Sequence, residues 1–226
     1  MSAGISFTQA VLARDIKIAF RSGGGWFYAL FFFAVFAALA AIAIGPELSA
    51  LAAVAPAVLW LAAAFAIQFS AADIFEGDLR DGTLRALSAE QASLFPYWLA
   101  KVILLAAVSA APIALAAPFV LSMLGVAFEV SLNAIILLAI GLPALILVAV
   151  LTAALASGLR AGGLLATIIA APFAAPVLVF GVSATKILFA NGVLWSPETL
   201  ILTALSLFMA ALTPAFAIAA LRLSLE

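Results

Sequence analysis

The sequence predicts an all-α integral membrane protein in which six transmembrane helices follow an N-terminal amphipathic helix. Of its 226 residues, 69% are hydrophobic and 8% are charged, whereas a soluble domain carries about 25% charged residues. A helix needs roughly 20 apolar residues to cross a bilayer core. Six apolar runs have about this length, at 26–44, 48–72, 98–127, 132–156, 164–184 and 200–221. They are apolar on all faces and too long for barrel strands, so helical spans are expected.

The segment before the first span, 1–22, is predicted to be a cytoplasmic amphipathic helix. Three basic residues with i, i+3 and i+7 spacing share one helical face: Arg14, Lys17 and Arg21. Apolar residues fall on the opposite face, a pattern typical of helices that lie in the membrane interface. We therefore expect these three residues to anchor the helix at the interface, in contact with membrane lipid.

The distribution of lysine and arginine predicts the orientation. Eight of the nine basic residues lie in the N-terminal segment, the second and fourth connections, the start of the third span and the tail. The ninth, Lys186, lies in the fifth connection. Because cytoplasmic segments are enriched in lysine and arginine, both termini and residues 73–96 are predicted to be cytoplasmic. Lys101, near the start of the third span, is expected to extend its ammonium group to the headgroups.

The composition excludes several kinds of site. The chain has no cysteine and no histidine, which excludes disulfides, thiolate zinc sites, iron–sulfur clusters and histidine-ligated haem. No catalytic motif and no broad basic face for nucleic acid is present. We therefore predict a non-enzymatic chain that binds no metal and no cofactor of its own. Only Met123 and Met209 offer soft iron ligands, and packing is the favoured interpretation of Met209.

Two local features within the spans allow more specific predictions. Ser196-Pro197-Glu198 provides an N-cap, a proline at the first helical position and a first-turn acid, so the sixth span is predicted to begin there. Trp60 lies near the middle of the second span. Helix packing is the favoured interpretation of its position, and a substrate-facing wall is the alternative.

The connection 73–96, called here the charged loop, is unusually polar. Its first part, 73–91, holds seven of the nineteen charged residues of the chain. Residues 83–87 are predicted to form a short helix, and several leucines recur among the charges. These features favour docking to a cytoplasmic protein, and a solvated loop is the alternative. We expect the acids of the loop to be exposed, so that losing one costs within about 0.5 kcal/mol of stability.

The run Asp78-Leu79-Arg80-Asp81-Gly82-Thr83-Leu84 resembles the D-x-x-D-G-[ST]-L loop of the haem exporter protein B (CcmB) family. Seven further similar segments follow the family's order, at 14–21, 44–47, 55–60, 99–101, 158–163, 176–181 and 214–222. Together they extend over nearly the whole chain. The sequence departs from the family after the loop leucine, where Arg85 and Ala86 replace an acid and an amide.

The resemblance implies an ABC-2-type exporter subunit in the bacterial inner membrane. Two copies would pair with two cytoplasmic ATP-binding subunits, and ATP would be bound by those partners. The complex would work with a haem-handling membrane protein and a periplasmic haem chaperone during cytochrome c maturation. The charged loop would dock the ATP-binding subunit, through Glu76, Asp78, Arg80, Asp81, Gly82, Thr83, Leu84, Arg85 and Leu87.

Two other functions are compatible with the residues. One is an ABC-2-type exporter subunit for a lipid or a drug-like molecule. The other is a membrane scaffold that transports nothing.

Overall fold

The computed structural model describes residues 12–17, 25–89, 93–157 and 162–225 of the chain. These residues form only helices and their connections, as an all-α membrane protein requires. Six helical segments in this part of the chain are long and apolar enough to span a bilayer. Five are single helices, namely α2 (Gly25–Ile44), α3 (Leu48–Ala71), α8 (Phe128–Ala156), α9 (Gly162–Asn191) and α10 (Pro197–Leu223).

The remaining span, third in the chain, consists of two α-helices joined by a π-helical turn. Helix α6 (Phe95–Leu105) is followed by the turn Ala106–Ala110 and by α7 (Ala111–Met123). The described residues also form three short helical segments: 12–17 (α1) before the first span, and α4 (Glu76–Arg80) and α5 (Thr83–Ala89) in the charged loop. The short helix predicted at 83–87 is therefore confirmed, and it extends two residues further.

Helix α8 is the centre of the bundle and the most buried of the six spans. It packs against four other helices, α9, α10, α7 and α3. Helix α2 is peripheral, and it contacts α3, α7 and the π-helical turn. The apolar side chains that α2 leaves uncovered suit a helix that faces lipid.

Trp60 of α3 holds three helices together and is completely buried. Its indole Nε1–H donates to the hydroxyl of Thr185 on α9 at 2.9 Å. Gly141 of α8 and Gly181 of α9 lie against the ring, and a Cβ atom built on either glycine would be within 2.6 Å of an indole carbon. The packing interpretation of Trp60 is therefore the one that the structure supports.

Helix boundaries follow the local turn signals. Helix α9 continues to Asn191, beyond the end predicted at residue 184, because no helix-breaking residue intervenes before Gly192, which has a φ of 68°. The predicted start of the sixth span is confirmed. The Ser196 hydroxyl accepts a hydrogen bond from the Thr199 backbone N–H at 3.3 Å, and Pro197 occupies the first helical position.

Candidate functional site

A cluster of charged and hydrogen-bonding side chains joins the charged loop to the N-terminal helix and to the third span. We call Arg14, Asp15, Asp78, Tyr97 and Lys101 the ion cluster. The Lys101 ammonium nitrogen lies 2.7 Å from Oδ2 of Asp15 and 2.6 Å from Oδ2 of Asp78. Arg14 donates from Nε to Asp15 and from Nη2 to Asp78, each at 2.7 Å. The Tyr97 hydroxyl donates to Oδ2 of Asp78 at 2.7 Å.

Most of the ion cluster is buried. Asp15, Asp78 and Lys101 are 7%, 6% and 5% exposed, and Tyr97 is fully buried. The two formal positive charges balance the two negative ones, so the desolvation cost of each ion is offset by direct partners. Removing one partner of a buried ion pair typically costs 3–5 kcal/mol, since it leaves the other charge unpaired. The cluster therefore fixes α1, α4 and α6 relative to one another.

Two expectations about basic residues are changed by this arrangement. The expectation that Lys101 reaches the headgroups is wrong, because its ammonium group lies inside the protein between two carboxylates. Arg14, predicted as an interface anchor, is bonded to Asp15 and Asp78. Lys17 is exposed and remains a predicted anchor. Arg21 lies outside the described residues.

The loop motif has a local structural explanation. Asp81 accepts a hydrogen bond from the backbone N–H of Thr83 at 2.9 Å, which closes the turn that starts α5. Gly82 adopts a φ of 79°, a conformation that favours glycine. Leu84, three residues after Asp81, is completely buried. Asp78 and Leu84 thus hold the loop to the bundle, while Asp81 and Gly82 shape its turn.

The predicted docking residues divide by exposure. Asp78 and Leu84 are buried, so the expectation that the loop acids are all exposed is wrong for Asp78. Four are partly exposed: Glu76, Gly82, Thr83 and Leu87. The remaining three are exposed: Arg80, Asp81 and Arg85. Arg80 forms an ion pair with Glu76 within α4.

Hydrogen bonds shift the pKa of two groups in this region. The Thr83 hydroxyl and backbone N–H hold the pKa of Asp81 below its ordinary value. The hydrogen bond to Asp15, supported by the charge of Asp78, raises the pKa of Arg14 although partial burial opposes the increase. Both groups therefore carry their charges near neutral pH.

Sequence reasoning missed Asp15 and Tyr97 as members of the site. Asp15 is separated from Lys101 by 86 positions, so no local spacing relates them. The available signal was a lysine at the start of an apolar span, because an ionisable residue there usually has a protein partner. An aspartate in the preceding amphipathic helix is one such partner.

The described residues contain no group of three or more histidine, cysteine, aspartate or glutamate side chains that would hold a metal. Met209 is buried in the bundle and Met123 is half exposed at the end of α7. The charged side chains of the site are instead paired with one another. Through these contacts, α4 of the charged loop is bonded to α6 of the third span.

Comparison with known proteins identifies the family. The family model described as "CcmB protein" matches residues 6–224. The chain belongs to the CcmB protein family. Heme exporter protein B of Bradyrhizobium diazoefficiens is 33% identical over 96% of this chain and 98% of its own length. Heme exporter protein B of Paracoccus denitrificans is 34% identical over 96% of this chain and all of its own length.

A third relative, heme exporter protein B of Pseudomonas aeruginosa, is 33% identical over 93% of each chain. The resemblance drawn from the loop motif is therefore confirmed over nearly the full length of the chain. With six helices able to span a bilayer, this CcmB family member is a multi-pass bacterial membrane protein. The ion cluster includes Tyr97 and Lys101 from the first turns of its third span.

Proposed function

We propose that this chain is the membrane subunit of a haem-exporting ABC transporter that acts in cytochrome c maturation. The relatives named heme exporter protein B support this function over nearly the whole chain. The single observation that carries the mechanism is the ion cluster, which fastens the charged loop to the third span. The family match favours this function over a lipid or drug exporter and over a scaffold.

The exposed side of the charged loop is the proposed docking surface for a cytoplasmic ATP-binding subunit. The buried members Asp78 and Leu84 hold the loop in place, and Arg80, Asp81 and Arg85 remain exposed to a partner. The partner supplies ATP hydrolysis, since the sequence offers no catalytic motif. Two copies of the chain would present two such surfaces, in keeping with a homodimeric membrane domain.

Haem is the proposed cargo of the complex and not a resident cofactor of this chain. Met209 is buried among apolar side chains in α10, where packing accounts for it. The complex would hand haem between a haem-handling membrane protein and a periplasmic haem chaperone. The task of this subunit would be to convert movement of the ATP-binding partner into movement of its spans.

Arg85→Glu is expected to weaken capture of the ATP-binding subunit about tenfold or more, while membrane levels of this chain stay normal. Arg85 is exposed, and reversing a charge inside an interface replaces attraction with repulsion. The measurement is co-purification of the ATP-binding subunit at matched membrane levels. Arg222→Glu, at an exposed arginine in the last turn of α10, is the matched control. Equal capture by both variants and the wild type would refute docking through α5.

The proposed orientation places the charged loop in the cytoplasm and the α9–α10 connection outside. Single cysteines at Ser93 and Val193, both exposed, are expected to react with an impermeant thiol reagent from opposite sides of the membrane. The chain has no cysteine of its own, so labelling reports only the introduced residue. Ser196 is unsuitable for this test because it is buried. Labelling of both cysteines from the same side would contradict the orientation.

A further inference from the structure

The third span has a built-in irregularity close to the ion cluster. The π-helical turn Ala106–Ala110 begins five residues after Lys101. Such turns are rare, and they often occur at functional sites. Pro112, the second residue of α7, has no backbone N–H and cannot donate to the carbonyl of Val108 as an α-helix requires. Within the turn, the Ser109 hydroxyl donates to the carbonyl of Leu105 at 2.6 Å.

The half of the span before this turn is bonded to the charged loop. Tyr97 and Lys101 are four residues apart on α6, so they lie on the same helical face. Both contact Oδ2 of Asp78 in α4, at 2.7 Å and 2.6 Å. A displacement of α4 therefore either carries α6 with it or breaks buried charged hydrogen bonds, which is costly.

The half of the span after the turn belongs to a different part of the bundle. Helix α7 packs mainly against α8, the most buried span, and also against α2 and α3. Its own residues Ile113, Ala117 and Leu121 are completely buried. Helix α6 also contacts α8, α10 and α3, but it differs from α7 in being bonded to the charged loop through Tyr97 and Lys101.

We propose that Lys101 is a positioning residue that makes α4 and α6 move as one unit, with the π-helical turn as the joint that lets α7 stay with the core. This inference rests on the proposed function, because it needs a partner that displaces the charged loop. Under ATP-driven closure, movement of the loop would shift the inner half of the third span. The outer half would keep its contacts with α8.

The experiment measures distances between pairs of spin labels in the complete complex with its ATP-binding subunit, diluted with unlabelled chain. Cysteines at Ile103 on α6 and at Leu155 on α8 form the first pair. Cysteines at Leu115 on α7 and at Leu155 form the second pair. All three side chains are exposed. Trapping the complex with ATP and vanadate is expected to change the first distance and to leave the second unchanged.

Three variants test the roles of Lys101 and the turn. Lys101→Met is expected to abolish the ATP-dependent change in the first distance while the ATP-binding subunit still co-purifies and hydrolyses ATP. Lys101→Arg keeps the charge and is expected to restore the change. Deleting Ala107 removes the extra residue of the π-helical turn, because an i→i+5 turn holds one residue more than an α-helical turn. In that variant, trapping with ATP and vanadate is expected to change both distances alike.

Tyr97→Phe is a milder variant that tests the same connection if Lys101→Met does not accumulate. It removes only the hydroxyl that donates to Asp78. It is expected to accumulate and to reduce the change in the first distance. The inference is overturned by equal changes of both distances in the wild type, or by an unchanged response in Lys101→Met or in an accumulating Tyr97→Phe. Absence of any ATP-binding subunit from the wild-type complex would instead refute the proposed function.

Discussion

Asp78→Lys is expected to abolish accumulation of the folded protein, whereas Asp81→Lys leaves folded protein near the wild-type level. Asp78 is 6% exposed and accepts hydrogen bonds from Arg14, Tyr97 and Lys101. A lysine there would place three cations in one site, with Asp15 as the remaining carboxylate partner. Loss of one buried partner alone costs about 3–5 kcal/mol, and charge repulsion adds to this. Membrane levels and the melting temperature of the purified protein in detergent measure the effect.

Asp81 is the matched control because it lies in the same motif, carries the same charge and is exposed. Its contact in the structure is the turn hydrogen bond with Thr83, so a small loss of stability is expected. Asp78→Asn removes the charge but keeps the size of the side chain. Its membrane level and melting temperature are expected to lie between those of the two lysine variants. Equal melting temperatures for Asp78→Lys and Asp81→Lys would contradict the burial of Asp78.

The fold was predictable because its main determinants are local. A long apolar run has only one way to satisfy its backbone groups in lipid, so each run predicts a helix. Start signals such as Ser196-Pro197 and stop signals such as Gly192 also act within a few residues. The predicted end of the fifth span is too early, because a lysine at position 186 indicates a connection in the sequence. The helix continues through it to Asn191.

The site was only partly predictable because its contacts are long-range. The loop motif contains both Asp78 and Asp81, and their spacing does not indicate which of the two is buried. Their different roles follow from Lys101 and Tyr97, which reach Asp78 from another helix. Trp60 and Thr185 are likewise 125 positions apart. Periodicity identifies the face of a helix, but it does not identify the partner that the face meets.

The ring of Trp60 explains why α8 and α9 have glycine at positions 141 and 181, because any larger residue there would overlap the ring. In a helix, glycine is about 1 kcal/mol less favourable than alanine, so replacement by alanine is stabilising where space allows. At Gly141, however, a Cβ atom would lie 2.4 Å from Cη2 of Trp60. Movement of the indole away from this methyl group is opposed, because the ring is completely buried, lies against Gly181 and is hydrogen-bonded to Thr185.

Gly141→Ala is therefore expected to destabilise the protein by about 1–3 kcal/mol, the usual cost of overpacking a core. The measurement is the melting temperature in detergent, followed by loss of the monodisperse peak in size-exclusion chromatography. Ala139→Val, on the exposed side of the same helix, is the control and is expected to change the melting temperature little. Trp60→Ala should also be strongly destabilising, by about 3–5 kcal/mol, because it leaves a cavity.

The decisive comparison is the double variant, because residues in contact have non-additive effects. Trp60→Leu removes the ring that meets the new methyl group. Gly141→Ala is therefore expected to cost less in the Trp60→Leu protein than in the wild type, and helix propensity can even make it favourable there. If Gly141→Ala has the same cost in both backgrounds, the glycine is not required by the indole, and the contact between α3 and α8 does not limit the stability of the bundle.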